Sequence, residues 1–180
     1  MKRISIIAIA LFLLACTQRR EAAKTATQPP PAASKGLAIT SSAFADNGEI
    51  PKKYGCGGGS VSPPLTISGV PAGAKSLALI VTDPDAPGGL FTHWVAWNLP
   101  PADTTIPEGQ PTGAMEGTNS YGKRGYGTPC PPVGAHRYIF NVYALDASLP
   151  LEAGAGREDV ENAMKGHVVA QARIVGTYRK

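Results

Sequence analysis

Charge is scarce in this chain. Only 17% of its 180 residues are Asp, Glu, Lys or Arg, against about a quarter in an ordinary globular protein. The formal net charge is +4, with no basic run of five, and loss of residues 1–15 would remove Lys2 and Arg3 and bring it to +2. So mild and scattered a balance excludes the electrostatic footprint of a nucleic-acid binder. Cysteine is equally sparse, at three residues, with no CxxC and no Cys/His pairing at zinc spacing, so a zinc-stapled module is excluded. No GxSxG, HExxH or HxH occurs. "GTNSYGK", residues 117–123, fits GxxxxGK, but Arg124 follows where Ser or Thr is required. No apolar strand precedes it and no helical pattern follows, so a phosphate loop is excluded too. Strand–helix alternation, the mark of a parallel sheet, is also missing.

The only long apolar run is N-terminal. Lys2 and Arg3 precede "ISIIAIALFLLAC", too brief to span a bilayer comfortably and built like a secretory signal. "LLAC", Leu13 to Cys16, resembles the bacterial lipobox, which implies a signal over 1–15 and lipid, palmitate included, on Cys16. The alternative is an ordinary signal that happens to contain a cysteine. The implied location is the cell envelope, and Thr17, in place of Asp, implies the periplasmic side of the outer membrane in a Gram-negative host. Residues 16–35 are rich in Ala, Thr, Gln and Pro without apolar periodicity and read as a solvated tether. Residues 36–180 then form one domain with enough chain for a core.

That domain reads as mostly β, an antiparallel sandwich with short flanking helices. "SLALIVT" (76–82), "LFTHWVAWNL" (90–99) and "RYIFNVYAL" (137–145) are apolar, β-branched and aromatic runs bounded by turn residues. "LAITSSAF", "LTI" and "ARIVGTY" are shorter candidates. "REDVENAMKG" (157–166) has helical spacing and acidic residues in its first turn.

Period-two geometry places ionisable groups on apolar faces. Phe91, His93, Val95, Trp97 and Leu99 share one face of their run; Asp83 continues the face of Leu77, Leu79 and Val81. Asp85 falls on the same side, because Pro84 holds Asp83 extended. His136, Tyr138, Phe140 and Val142 share a third face. Buried charges demand partners, so carboxylate–imidazole pairing is expected, with the histidine pKa values raised and donors left for an anion. Cys56 in "YGCGGGS" and Cys130 in "TPCPP" either close a disulfide or line a pocket as free thiols. Gly117 to Tyr138 contains a long loop, stiffened by Pro129, Pro131 and Pro132, in which glycines let backbone N–H groups approach a ligand.

"VSPPLTISGVP", "SLALIVTDPDAP", "THWVAWNLP" and "GYGTPCPPVGAHRYIFNVYALD", in this order, resemble the phosphatidylethanolamine-binding protein family, in particular its bacterial branch called Raf kinase inhibitor-like. The resemblance spans roughly Leu37 to Tyr178. It implies a β-sandwich with a small pocket for phosphate-like anions and phospholipid headgroups. By motif, Asp83, Asp85, His93, His136 and Tyr138 belong to that pocket, with Gly127, Cys130 and Pro131 in its wall. The aspartates are expected to orient the histidines, which with loop N–H groups hold the anion. The chain departs from eukaryotic members in ending on strand-like alternation, where those carry a closing helix.

Three functions follow as alternatives. The first is a non-enzymatic, membrane-anchored binding module for a phosphate-bearing small molecule or phospholipid headgroup, using no metal and no cofactor. The second is a protease or kinase-type inhibitor acting on a protein partner through its loops. The third is an enzyme using Asp83, His93 and His136 as metal ligands or as an acid/base set.

Overall fold

The computed structural model describes residues 36–59 and 61–180; the signal segment 1–15, Cys16 and the tether 16–35 lie outside the described residues. In chain order the elements are β1 (Ala38–Thr40), β2 (Gly48–Glu49), a 3-10 turn (Lys52–Tyr54), β3 (Leu65–Ser68), β4 (Ser76–Asp83), β5 (Phe91–Leu99), β6 (Thr104–Ile106), β7 (Met115–Glu116), β8 (Ala135–Leu145), α1 (Arg157–Met164) and β9 (Val168–Arg179). A three-stranded sheet, β1-β3-β6, faces a six-stranded one ordered β2-β9-β8-β4-β5-β7. All pairings are antiparallel except β2 with β9.

The sandwich follows from apolar alternation. Ile39, Leu65, Ile67 and Ile106 of the small sheet pack with Leu77, Leu79, Val81, Phe140 and Val142 of the large one. β4 is buried along its whole length, because the reverse face of the large sheet is covered as well. There Ala78, Ile80, Val95 and Trp97 meet Val160 and Met164, which lie four apart on one side of α1. The Gly156 N–H donates to the Asp159 carboxylate at 3.0 Å, opening that helix. Among the described residues one α-helix and the 3-10 turn make up the flanking helices, and β9 is the last element.

Strict alternation along β5 fails twice. Against β4, Val81 is opposite Trp94 while Thr82 is opposite Thr92, leaving His93 as an extra residue; the register shifts again at Asn98, between the Leu77–Leu99 and Ala78–Trp97 pairs. Such bulges reverse the parity of every later side chain. Trp94, Ala96 and Leu99 therefore face the inter-sheet core, and Val95 and Trp97 face the helix side. The expected common face of His93, Val95, Trp97 and Leu99 is corrected accordingly.

Asn98 carries the second bulge with φ of 56°, a conformation tolerated best by Gly and Asn. Its side chain accepts from the Leu149 N–H at 2.8 Å and donates to the Leu149 carbonyl at 3.0 Å, pinning the segment that covers Trp97. Asn98→Ala loses both bonds and keeps the backbone strain, so urea unfolding should show a loss of about 2–3 kcal/mol; Asn98→Gly, which relieves the strain, should lose less.

Candidate ligand-binding cleft

Strands β4, β5 and β8 bring their charged ends to one end of the large sheet. Asp83 closes β4 and lies opposite Phe91, the first residue of β5, and His136 is the second residue of β8. These groups border a cleft of about 350 Å³, whose lining includes Asp83, His93, His136, Tyr138, Cys130 and Pro131. Phe91, Tyr121, Pro87 and Pro132 complete its apolar walls.

Both imidazoles are held through Nδ1. His136 Nδ1 donates to Asp83 Oδ2 at 2.8 Å, with both residues buried. Asp83 Oδ1 accepts the Asp85 N–H at 2.8 Å. His93 Nδ1 is 2.7 Å from the Gly127 carbonyl; a carbonyl can only accept, so the proton sits on Nδ1. Nε2 of each ring is thereby spared. The Tyr138 hydroxyl is fully buried and has no hydrogen-bond partner among the described residues. Burial, reinforced by the Asp83 charge, holds that phenol protonated far above its ordinary range.

Three expectations are corrected here. Asp85 does not line the cleft and orients neither ring. Its carboxylate takes the Nε and Nη2 donors and the backbone N–H of Arg137 at 2.7–2.9 Å, and this guanidinium holds its pKa down to about 2. Gly127 also lies outside the lining, because its N–H is spent on the His93 carbonyl at 2.6 Å. A Cβ on Gly127 would stand 2.8 Å from the Tyr121 ring and 3.1 Å from that carbonyl, so the glycine serves the two-way clasp with His93. Finally, His93 is held below the usual histidine range. Burial is the largest cause, outweighing the raising effects of the Gly127 bond and the Asp83 charge.

The long loop expected within Gly117 to Tyr138 runs along the outer edge of β5. Thr92 and Ser120 exchange bonds at 2.9 Å. The Asn119 side chain accepts from the N–H groups of Tyr121 and Lys123 and donates to the Gly125 carbonyl. Cys56 and Cys130 form a disulfide, Cα–Cα 5.1 Å, beside a Cys56 N–H bond to the Pro129 carbonyl at 2.8 Å. The bond fastens the proline wall to the segment after the 3-10 turn.

Tyr121 and Phe91 were the wall residues least visible in the sequence. Phe91 begins a strand whose pattern the bulge breaks, and Tyr121 sits in a turn with no period to mark it. In the structure they stack edge to face, with centroids 4.8 Å apart, and each contacts the His93 ring. Tyr178 lies opposite His136 in the ladder, and His167 pairs with Asp146 at the far end of β9.

A two-sheet sandwich that gathers two oriented imidazoles, a buried phenol and a paired carboxylate at one end of its large sheet has the build of a binding protein. The chain belongs to the phosphatidylethanolamine-binding protein family, whose model matches residues 40–179. It is 51% identical over 144 residues to a UPF0098 protein of Methanothermobacter thermautotrophicus, covering 77% of this chain and 95% of that one. With a UPF0098 protein of Chlamydia muridarum it shares 47% identity over 149 residues, 80% of this chain and 99% of the relative. Among solved structures it is similar to a phosphatidylethanolamine-binding protein homologue of Chlamydia trachomatis. There the TM-score is 0.79 and the identity 47%, covering 82% of this chain and 99% of that one. Escherichia coli YbcL gives a TM-score of 0.74 at 33% identity, covering 80% and 98%. Both solved chains are matched over almost their whole length.

The disulfide closes a loop of 74 residues. Replacing Cys56 and Cys130 with serine should lower stability in guanidinium titrations by about 4 kcal/mol on the chain-entropy account, and adding reductant should reproduce the loss in the parent protein but not in the variant.

Proposed function

We propose that the protein is a non-catalytic binding module that takes a phosphate-type anion, such as a phospholipid headgroup, in the cleft between β4, β5 and β8. The observation that carries this reading is the Tyr138 hydroxyl, a fully buried donor with no partner among the described residues. Buried polar groups of this kind are satisfied by water or ligand. The two spared Nε2 atoms lie on the same cleft, and its apolar walls exclude water and so strengthen each polar contact. Phosphate oxygens can accept from the phenol and from a protonated imidazole, while Phe91, Pro131 and Pro132 offer an apolar flank to the rest of the ligand.

Anchoring rests on the sequence alone: the "LLAC" signal and Cys16 support a lipid-tethered form in the cell envelope. The motifs shared with the Raf kinase inhibitor-like branch support placement there as ancestry. Among the described residues no three His, Cys, Asp or Glu side chains converge as a metal-ligand set.

The pKa direction of His93 fixes the sign of the pH dependence. Its imidazole is neutral at pH 7 and presents a lone pair at Nε2, which repels an anion; protonation turns that atom into a donor. Affinity for glycerophosphoethanolamine, whose charge is constant between pH 5.5 and 8, should therefore rise as the pH falls. Isothermal calorimetry on residues 36–180 should show binding at least tenfold tighter at pH 5.5 than at pH 8, a change of about 1.4 kcal/mol or more. Tyr138→Phe should weaken binding at both values, and His93→Ala should abolish the gain at low pH. Absence of binding at either pH, or equal binding by the Tyr138→Phe/His136→Ala double variant, would refute the assignment.

A further inference from the structure

A second hollow, of about 310 Å³, shares no lining residue with the cleft. Trp94, which follows His93 in β5, and Tyr126, which precedes Gly127, give it an aromatic side, their rings edge to face with centroids 5.5 Å apart. Ser62, Gln110, Glu116 and Arg124 bring polar groups to it from separate segments of the chain.

Both charges are set in place by the fold. Glu116 ends β7. Its Oε2 accepts the Trp94 indole N–H at 2.8 Å, and its Oε1 accepts the Thr112 hydroxyl at 2.8 Å and the Thr112 N–H at 3.2 Å. Each carboxylate oxygen has two lone pairs, so Oε1 is filled and Oε2 keeps one place open. Arg124 Nη2 donates to the Ala153 carbonyl at 3.2 Å, and a Cβ on Gly154 would stand 3.1 Å from that nitrogen. The Gly154 N–H in turn donates to the Glu116 carbonyl at 2.9 Å, so one turn braces both residues. Neither side chain enters an ion pair, with the other or with any described residue. Fixed charges of opposite sign on one hollow, too far apart to neutralise each other, are complementary to a ligand that carries both signs itself.

Ser62 is the independent mark of a ligand. It is 4% exposed. Its carbonyl accepts the Gly109 N–H at 3.0 Å, but its hydroxyl has no hydrogen-bond partner among the described residues and belongs to the wall of the hollow. Buried hydroxyls are satisfied by water or by ligand.

We infer that this hollow is a second binding site, for a small zwitterion with an ammonium, a carboxylate and an apolar side chain: an amino acid, free or at the end of a short peptide. The ammonium donates to Glu116 Oε2, the carboxylate accepts from the remaining Arg124 donors, the Ser62 hydroxyl completes the polar contacts, and the side chain rests on the Tyr126 ring. With no lining residue in common, the inference stands apart from the anion reading of the cleft.

The Trp94 indole N–H is bonded to the carboxylate in question, so its resonance reports on the site. Proton–nitrogen NMR of the purified protein titrated with L-leucine, and separately with glycyl-L-leucine, should move that signal, and calorimetry should return an affinity. A response to leucine identifies a free amino acid as the ligand; a response to the dipeptide alone identifies a peptide end. N-acetyl-L-leucine, which lacks the ammonium, and L-leucinamide, which lacks the carboxylate, should each bind at least tenfold more weakly than leucine. Glu116→Gln and Arg124→Gln should each weaken binding tenfold or more, and Ser62→Ala should weaken it less. Arg124 is exposed, so Arg124→Gln should keep the parent's urea midpoint, which separates lost binding from lost folding. An indole signal unmoved by both leucine and the dipeptide, equal binding of the acetylated or amidated form, or undiminished binding by Arg124→Gln overturns the inference.

Discussion

A carboxylate 3% exposed to solvent is tolerated only where donors replace the water it has lost, and at Asp83 both oxygens are supplied. One accepts the Asp85 N–H and the other His136 Nδ1, each at 2.8 Å. Leaving such a group unpaired would cost several kcal/mol, so the pair ties the end of β4 to the start of β8. It also dictates the chemistry of the opening. With Nδ1 committed to the carboxylate, the histidine has only Nε2 to offer a ligand, and the Tyr138 hydroxyl, two residues along β8, shares the same lining.

The second imidazole reaches the same orientation by another route. His93 is the extra residue of a bulge, and its backbone and ring are both clasped by Gly127. The clasp uses a neutral carbonyl, so it contributes no charge to offset burial, and His93 prefers to be neutral. One oriented ring is thus paired to a charge and the other to a dipole. The cleft is in consequence less cationic than a cluster of two aspartates and two histidines suggests.

Much of this was legible in the residues. The faces of β4 and β8 obey strict alternation, so Asp83, His136 and Tyr138 could be aligned with the core from periodicity alone. His93 could not, because a bulge is a local insertion that alternation cannot reveal; only its neighbourhood in the "HW" motif marked it. Asp85 and Gly127 were legible as site-proximal, yet their partners lie 52 and 34 residues away, and no local pattern says whether a group faces a ligand or another part of the chain. The strands β2, β6 and β7 have only two or three residues. At that length pairing with a neighbour, more than intrinsic preference, makes a strand. The mostly β sandwich itself needed only the long apolar runs and the helical spacing of Val160 and Met164.

Orientation of both rings through Nδ1 is the central claim, and long-range proton–nitrogen NMR of the imidazoles measures it. At pH 7.5 the free domain should show His93 as the neutral Nδ1-protonated tautomer and His136 protonated at Nδ1, with the Nε2 signals of both rings moving when glycerophosphoethanolamine is added. A proton on Nε2 with bare Nδ1 at His93, or Nε2 signals unmoved by a ligand that calorimetry shows to be bound, would contradict it.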